Sequence, residues 1–198
     1  MGEAKRKADG LKGFLSNLTA GAKTTHDLTQ RLLNGLIKPK GMYGACYRVS
    51  MLLNRILAKE YGVASTVVLG WINNGDDIFI SHAWLETEGK KTDLMAERPM
   101  YEKSNRGPTI ILDHVIKGSS NITYSYHLDK TPAALAVDTR MAADDPDYRD
   151  MLRVKDAEHI RIAAAIESDS AKDAFRDECA HGSGDGYIYA RVLSAIGN

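Results

Sequence analysis

The sequence predicts a single α+β domain in which a cysteine-bearing helix packs on a central antiparallel sheet and further helices follow. Three observations carry this expectation. Cys46, Val49, Ser50, Leu53 and Leu57 recur at i, i+3, i+4, i+7 and i+11, a spacing that only a helix aligns on one side. Residues 63–95 read as short β-branched and alternating runs divided by turn-forming pairs. Beyond Pro132 the apolar spacing becomes helical again.

In chain order, residues 1–13 are polar, glycine-bearing and basic, and are expected to be a flexible tail ahead of one domain over 14–198. A helix is expected over 24–37, capped by Thr24 or Thr25, with Leu28, Leu32 and Leu36 on one side. Pro39 and Gly41 end it. The long helix follows over about 44–61, and Gly62 stops it. Strands are expected over 63–71, 78–86 and 91–95, the last two joined at Glu88-Gly89. Asn73 to Asp77 form the intervening turn. Two more strands are expected over 109–116 and 122–128, which completes a core of about 41–128. The C-terminal part, about 132–198, reads as helices over 156–167, 171–180 and 186–196. The acidic run at Asp144-Asp145-Pro146-Asp147 opens a helix, and the glycine-rich run 182–186 joins two.

Composition narrows the function. The 198 residues carry 26 basic and 26 acidic side chains, for a net charge of zero. That balance excludes a globally basic nucleic-acid binder. Charge is uneven, with twelve acids against seven bases from Asp144 onward. No run of eighteen apolar residues exists to span a membrane, and the first eighteen residues lack an apolar stretch of secretory length. Cys46 and Cys179 are too few for a disulfide framework or a multi-cysteine zinc site. His26, His114, His127, His159 and His181 show no metal-ligand spacing with carboxylates or cysteines. The expectation is a reduced, cytoplasmic protein without metal or cofactor.

Three segments carry reactive groups. Tyr43-Gly44-Ala45-Cys46 puts a thiol in the first turn of the long helix, where unpaired N–H groups and the helix dipole favour a thiolate. Gly44 leaves room for a substrate backbone. The alternative is a core cysteine on the apolar stripe, and Cys179 is read that way. In Ser81-His82-Ala83-Trp84-Leu85-Glu86, strand alternation places His82, Trp84 and Glu86 on one face; the alternative is a satisfied core histidine. The third segment is Thr92-Asp93-Leu94. With a tight turn at Glu88-Gly89, paired residue numbers sum to 177, so Asp93 falls opposite Trp84 and diagonal to His82. A loop two residues longer puts His82 directly opposite Asp93. Any odd sum keeps the two on one face. Thiol, imidazole and carboxylate then fit the order nucleophile, base and orienter.

GACYRVSMLLNRILAKEYGVASTVVLGW followed by SHAWLETEGKKTDL resembles the transglutaminase-like superfamily, relatives of the papain-type cysteine proteases. The residues carrying the resemblance are Cys46 opening its helix, Gly62-Val63-Ala64 leading to Gly70-Trp71, His82-Ala83-Trp84 with Glu86, and Asp93. The Cys46, Ser50, Leu53 helix and the short spacing from His82 to Asp93 also resemble the leader peptidases of lasso-peptide maturation. The likeness covers about residues 41–99. Asp93-Leu94-Met95 replaces the family's usual Asp-Pro-Thr, and Ala64-Ser65 its usual Arg-Ala. The resemblance implies a papain-like core and a peptidase or amidase acting on a peptide or protein through Cys46, His82 and Asp93. Tyr43, Gly44 and Trp84 would line the substrate site. Transfer to an amine, or a binding module that keeps the fold without catalysis, are the alternatives. The Cys46 N–H is one oxyanion donor; the second is sought among Gln30, Asn34 and Tyr43.

Overall fold

The structure, a computed structural model, describes residues 12–100, 104–116, 118–183 and 189–197, with the backbone alone at 176 and 178–183. Helix α1, Ala20–Leu32, continues as a wider π-helical turn over Leu33–Ile37. It starts earlier than the leucine spacing implies. Thr19, not Thr24 or Thr25, is its cap: the Thr19 hydroxyl accepts the Ala22 N–H at 3.1 Å and donates to Glu88 at 2.6 Å. Thr24 and Thr25 lie within the helix and bond back to the carbonyls of Ala20 and Gly21. Leu28, Leu32 and Leu36 are buried, as their spacing requires. Of the expected tail, residues 1–11 lie outside the described set; residues 12–16 are helical, and Phe14 stacks on His114 with centroids 4.7 Å apart.

Helix α2, Cys46–Tyr61, ends at Gly62 as expected. The sheet follows: β1 Thr66–Asn73, β2 Ile80–Thr87 and β3 Lys90–Thr92. The β2–β3 hairpin pairs Leu85 with Thr92, Glu86 with Lys91 and Thr87 with Lys90. Glu88 and Gly89 both have positive φ, 53° and 70°, the two-residue turn whose twist suits a hairpin. The expected run over 109–116 is not one strand. It is a second hairpin, β4 Thr109–Ile111 and β5 His114–Ile116, folded at Leu112-Asp113 with φ of 52° and 64°. Sequence alone hides that turn because it contains no glycine. The Leu112 N–H, donating to the Thr92 hydroxyl, and the Asp113 N–H, donating to the Lys91 carbonyl, hold it. Strand β6 is only Ser125–His127 and pairs with β1, which gives the antiparallel order β3-β2-β1-β6.

After the sheet come α3 Pro132–Asp144, α4 Pro146–Ile166, α5 Asp169–Ser183 and α6 Tyr189–Ala195. Helix α3 was not expected, and α4 starts ten residues before the helix expected at 156. Asp145 caps α4, accepting the N–H groups of Asp147 and Tyr148, so the acidic run does open a helix. Of the expected connector over 182–186, Gly182 and Ser183 belong to α5; the rest lies outside the described residues, as do 186–188 of the last expected helix and the Cys179 side chain. Among the described residues no helix is long and apolar enough to cross a membrane.

The main core joins Leu28, Leu32 and Ile37, Leu53 and Ile56 of α2, Ala83 and Leu85 of the sheet, and Ile162, Phe175 and Val192 from the later helices. One ionic clamp ties α5 to α2. The buried Arg55 meets Asp173 through two bonds of 3.0 Å and also pairs with Asp169, while Lys59 reaches Asp173 at 2.9 Å. The Arg55 guanidinium beside Asp173 holds its carboxyl near a pKa of about 2. A depressed folded-state value adds stability that is complete above the unfolded carboxylate range of about 3.9 and is lost as pH falls through the folded value. Asp173→Asn is expected to lower neutral-pH stability by about 1.5–3 kcal/mol. Chemical denaturation at several pH values should show the gap from wild type closing below about pH 4.

Candidate functional site

Cys46 stands at the first position of α2, with Ala45 as cap residue at φ −104°, ψ 26° and no side-chain cap bond. Its N–H belongs to the first helical turn, where no intrahelical acceptor exists. The first turns of α2 lie against the part of β2 that β3 does not reach: Ser50 donates to the Ala83 carbonyl at 3.2 Å, and Tyr47 donates to Ser81 at 2.9 Å. That contact brings Cys46 close enough to His82 for the sulfur to bear on the ring's charge.

His82 Nε2 bonds Asp93 Oδ2 at 2.7 Å. The register places them as the hairpin arithmetic requires, since the β2–β3 pairs sum to 177 and leave Asp93 diagonal to His82 on the same face. Asp93 is just past β3, where its backbone bridges Ile110 through two 2.8 Å bonds. Its other oxygen, Oδ1, accepts the N–H groups of Met95 at 2.8 Å and Ala96 at 3.1 Å. Oδ2 takes a further hydrogen bond of 2.7 Å from Tyr126. Four donors converge on one carboxylate. Cys46, His82 and Asp93 are 8%, 5% and 2% exposed, so the group is almost wholly removed from water.

Burial alone would depress the His82 pKa, but the Asp93 carboxylate, then Cys46, more than offset it and raise the ring well above 6.5. Burial likewise works against the Asp93 carboxylate, yet the His82 charge and bond, the Met95 N–H and the Tyr126 hydroxyl hold its pKa below the usual range. The raised histidine contributes stability that is complete below about pH 6.5 and lost as pH rises through its folded value. The depressed carboxylate contributes above about pH 3.9 and ceases to as pH falls through its own.

The other expected site residues are placed differently. Trp84 is buried, donates its indole N–H to Glu86 at 3.0 Å and meets Tyr126 edge-on at 5.2 Å. A Cβ at Gly70 would stand 2.8 Å from the Trp84 ring, so glycine there makes room for the indole. Trp84 thus walls the His82 side of the site from within. The space above Gly44 is filled by Met100, whose Cβ would lie 2.8 Å from any Cβ there, and the Gly44 N–H donates to the Arg98 carbonyl at 2.9 Å. Gly44 has φ +59°, which a side chain would also oppose. Tyr43 is 54% exposed with the Arg98 guanidinium 5.4 Å from its ring. Gln30 and Asn34 do not join the site. They line a separate groove of about 500 Å³ with Gly35 and Ala195–Gly197, and Asn34 accepts from Lys38.

Tyr126 is the residue that sequence reasoning missed. It falls in the expected strand over 122–128, but its pairing with Ile72, which carries it over the His82 face, joins segments more than fifty residues apart. Lys91 covers its ring at 3.5 Å. Among the described residues no three His, Cys, Asp or Glu side chains are grouped to hold a metal ion. Comparison with family models, curated proteins and solved structures gave no match. Tyr126→Phe keeps both ring contacts and removes one hydrogen bond to a buried carboxylate. Urea unfolding should report a loss of about 1.5–3 kcal/mol; an unchanged midpoint would show that Asp93 does not depend on Tyr126.

Proposed function

We propose that this protein is a cysteine-dependent acyl-transfer enzyme of transglutaminase-like, papain-like type, acting on a peptide or protein amide. The single observation that carries the reading is the buried bond from His82 to Asp93, beside a helix-start thiol whose charge bears on the same ring. Nε2 is committed to Asp93, which leaves Nδ1 for the sulfur. His82 takes the thiol proton and later delivers it to the leaving amine. Asp93 fixes the ring's tautomer and stabilises the imidazolium. The thiolate sulfur bonds the carbonyl carbon, the C–N bond breaks, and water then releases the acid from the thioester. The Cys46 N–H, in an unpaired first turn, is one donor to the developing oxyanion.

Turnover of an activated aryl ester, with and without an added primary amine, tests this. Wild type is expected to release one equivalent of phenol in a burst as Cys46 acylates, followed by slower turnover. Cys46→Ala and His82→Ala should each lose roughly three or more orders of magnitude, and the double variant no more. Acceleration of the second phase by the amine would identify transfer; indifference to it, hydrolysis. Absence of a burst together with small, additive losses would mark a binding module.

A further inference from the structure

Outside the triad, a cluster of nucleophilic and titratable groups lies one residue to the side of it. Tyr47 follows Cys46 and Ser81 precedes His82. The Tyr47 hydroxyl donates to Ser81 Oγ at 2.9 Å, and Ser81 Oγ lies 2.5 Å from His159 Nδ1 on α4. His159 in turn stacks on Trp71, centroids 4.5 Å apart and planes 12° from parallel, and Lys130 sits 4.3 Å from the same indole. Trp71 and Ser81 are paired across β1 and β2. A helix start, two strands and a helix from 78 residues further along thus meet at a single hydroxyl.

A phenol has one proton to give and Tyr47 gives it to Ser81. Ser81 Oγ keeps its own proton and a second lone pair, so it bonds His159 Nδ1 in either ring tautomer. Burial and Lys130 keep the His159 pKa below its ordinary value, against the pull of Asp156. Burial, then the Cys46 and Glu158 charges, push the Tyr47 pKa up, so the phenol keeps the proton it donates. Both hydroxyls in the run are satisfied.

We propose that Tyr47, Ser81 and His159 form a latch that sets Cys46 in register with His82, which makes the C-terminal helix α4 a positioning part of the site. This rests on the acyl-transfer reading of the triad. Successive residues fix one another: the Tyr47–Ser81 bond ties the peptide beside the thiol to the peptide beside the imidazole. Helix α2 cannot slide along β2 without breaking it. His159 holds Ser81 in the rotamer that accepts, and the Trp71 stack holds His159. None of the three is placed to touch the reacting atoms, so each acts through Cys46 and His82.

Alkylation of Cys46 by iodoacetamide, read by peptide mapping from about pH 6 to pH 9, tests the latch without a known substrate. Tyr47→Phe keeps the ring and loses the hydroxyl; Ser81→Ala loses the shared oxygen. Both are expected to slow Cys46 alkylation at neutral pH roughly ten- to a hundredfold and to displace its pH profile toward alkaline pH, with Tm within a few degrees of wild type. Ser81→Thr, which keeps the hydroxyl, and His159→Gln, which keeps an acceptor, should restore most of the rate, whereas His159→Ala should not. Wild-type rates and profile in Tyr47→Phe, or a loss of Tm without a displaced profile, would overturn the latch. His82→Ala separates the two proposals. Wild type far faster than His82→Ala, with Tyr47→Phe like wild type, defeats the latch alone; wild type no faster than His82→Ala defeats the acyl-transfer reading and the latch with it.

Discussion

The bond between His82 Nε2 and Asp93 Oδ2 is the interaction on which the rest of this architecture depends. A carboxylate and an imidazole both almost wholly removed from water are costly unless each satisfies the other. The surrounding elements divide that cost. The loop after β3 offers Asp93 the N–H groups of Met95 and Ala96, and β6 offers the Tyr126 hydroxyl. The β4–β5 hairpin bridges the backbone of the same residue. Strand lengths reflect this. β3 pairs for only three residues before the chain turns to present Asp93, and β6 is just long enough to carry Tyr126 over it.

The helices answer a second requirement of the proposed reading, that a thiol come close to the same imidazole. A cysteine at a helix start can approach a strand only where that strand has a free side, and β2 has one beyond the end of β3. Ser50 and Tyr47 occupy it. The clamp from Arg55 to Asp169 and Asp173 fastens α5 to the far half of the same helix, while His159 meets its near half through Ser81. The C-terminal helices are therefore not an appendage; they hold the cysteine helix at both ends.

Local chemistry made part of this legible in sequence. The Glu88-Gly89 turn fixes an odd pairing sum, and with it the shared face of His82 and Asp93. The stripe from Cys46 to Leu57 fixes the long helix, and Gly62 its end. What escaped depends on contacts distant in sequence. The early start of α1 needs Glu88, which meets Thr19 only after the hairpin forms. The turn at Leu112-Asp113 carries no turn glycine and is held by Thr92 and Lys91. Tyr126 looked like one more strand residue, and His159 like one scattered histidine among several. Both take their place from pairings that no local pattern encodes.

The most direct measurement is the titration of the His82 ring by NMR in wild type and in Asp93→Asn. With the carboxylate in place, the imidazole is held charged well above its ordinary value, and its resonances should stay fixed from pH 6 through about pH 8. Asp93→Asn keeps the shape and removes the larger of the two charges that offset burial, leaving only Cys46 to oppose it. The ring should then titrate well below its wild-type value. If His82 titrated at the same pH in both proteins, the carboxylate would not govern the imidazole, and the account built on their bond would be wrong.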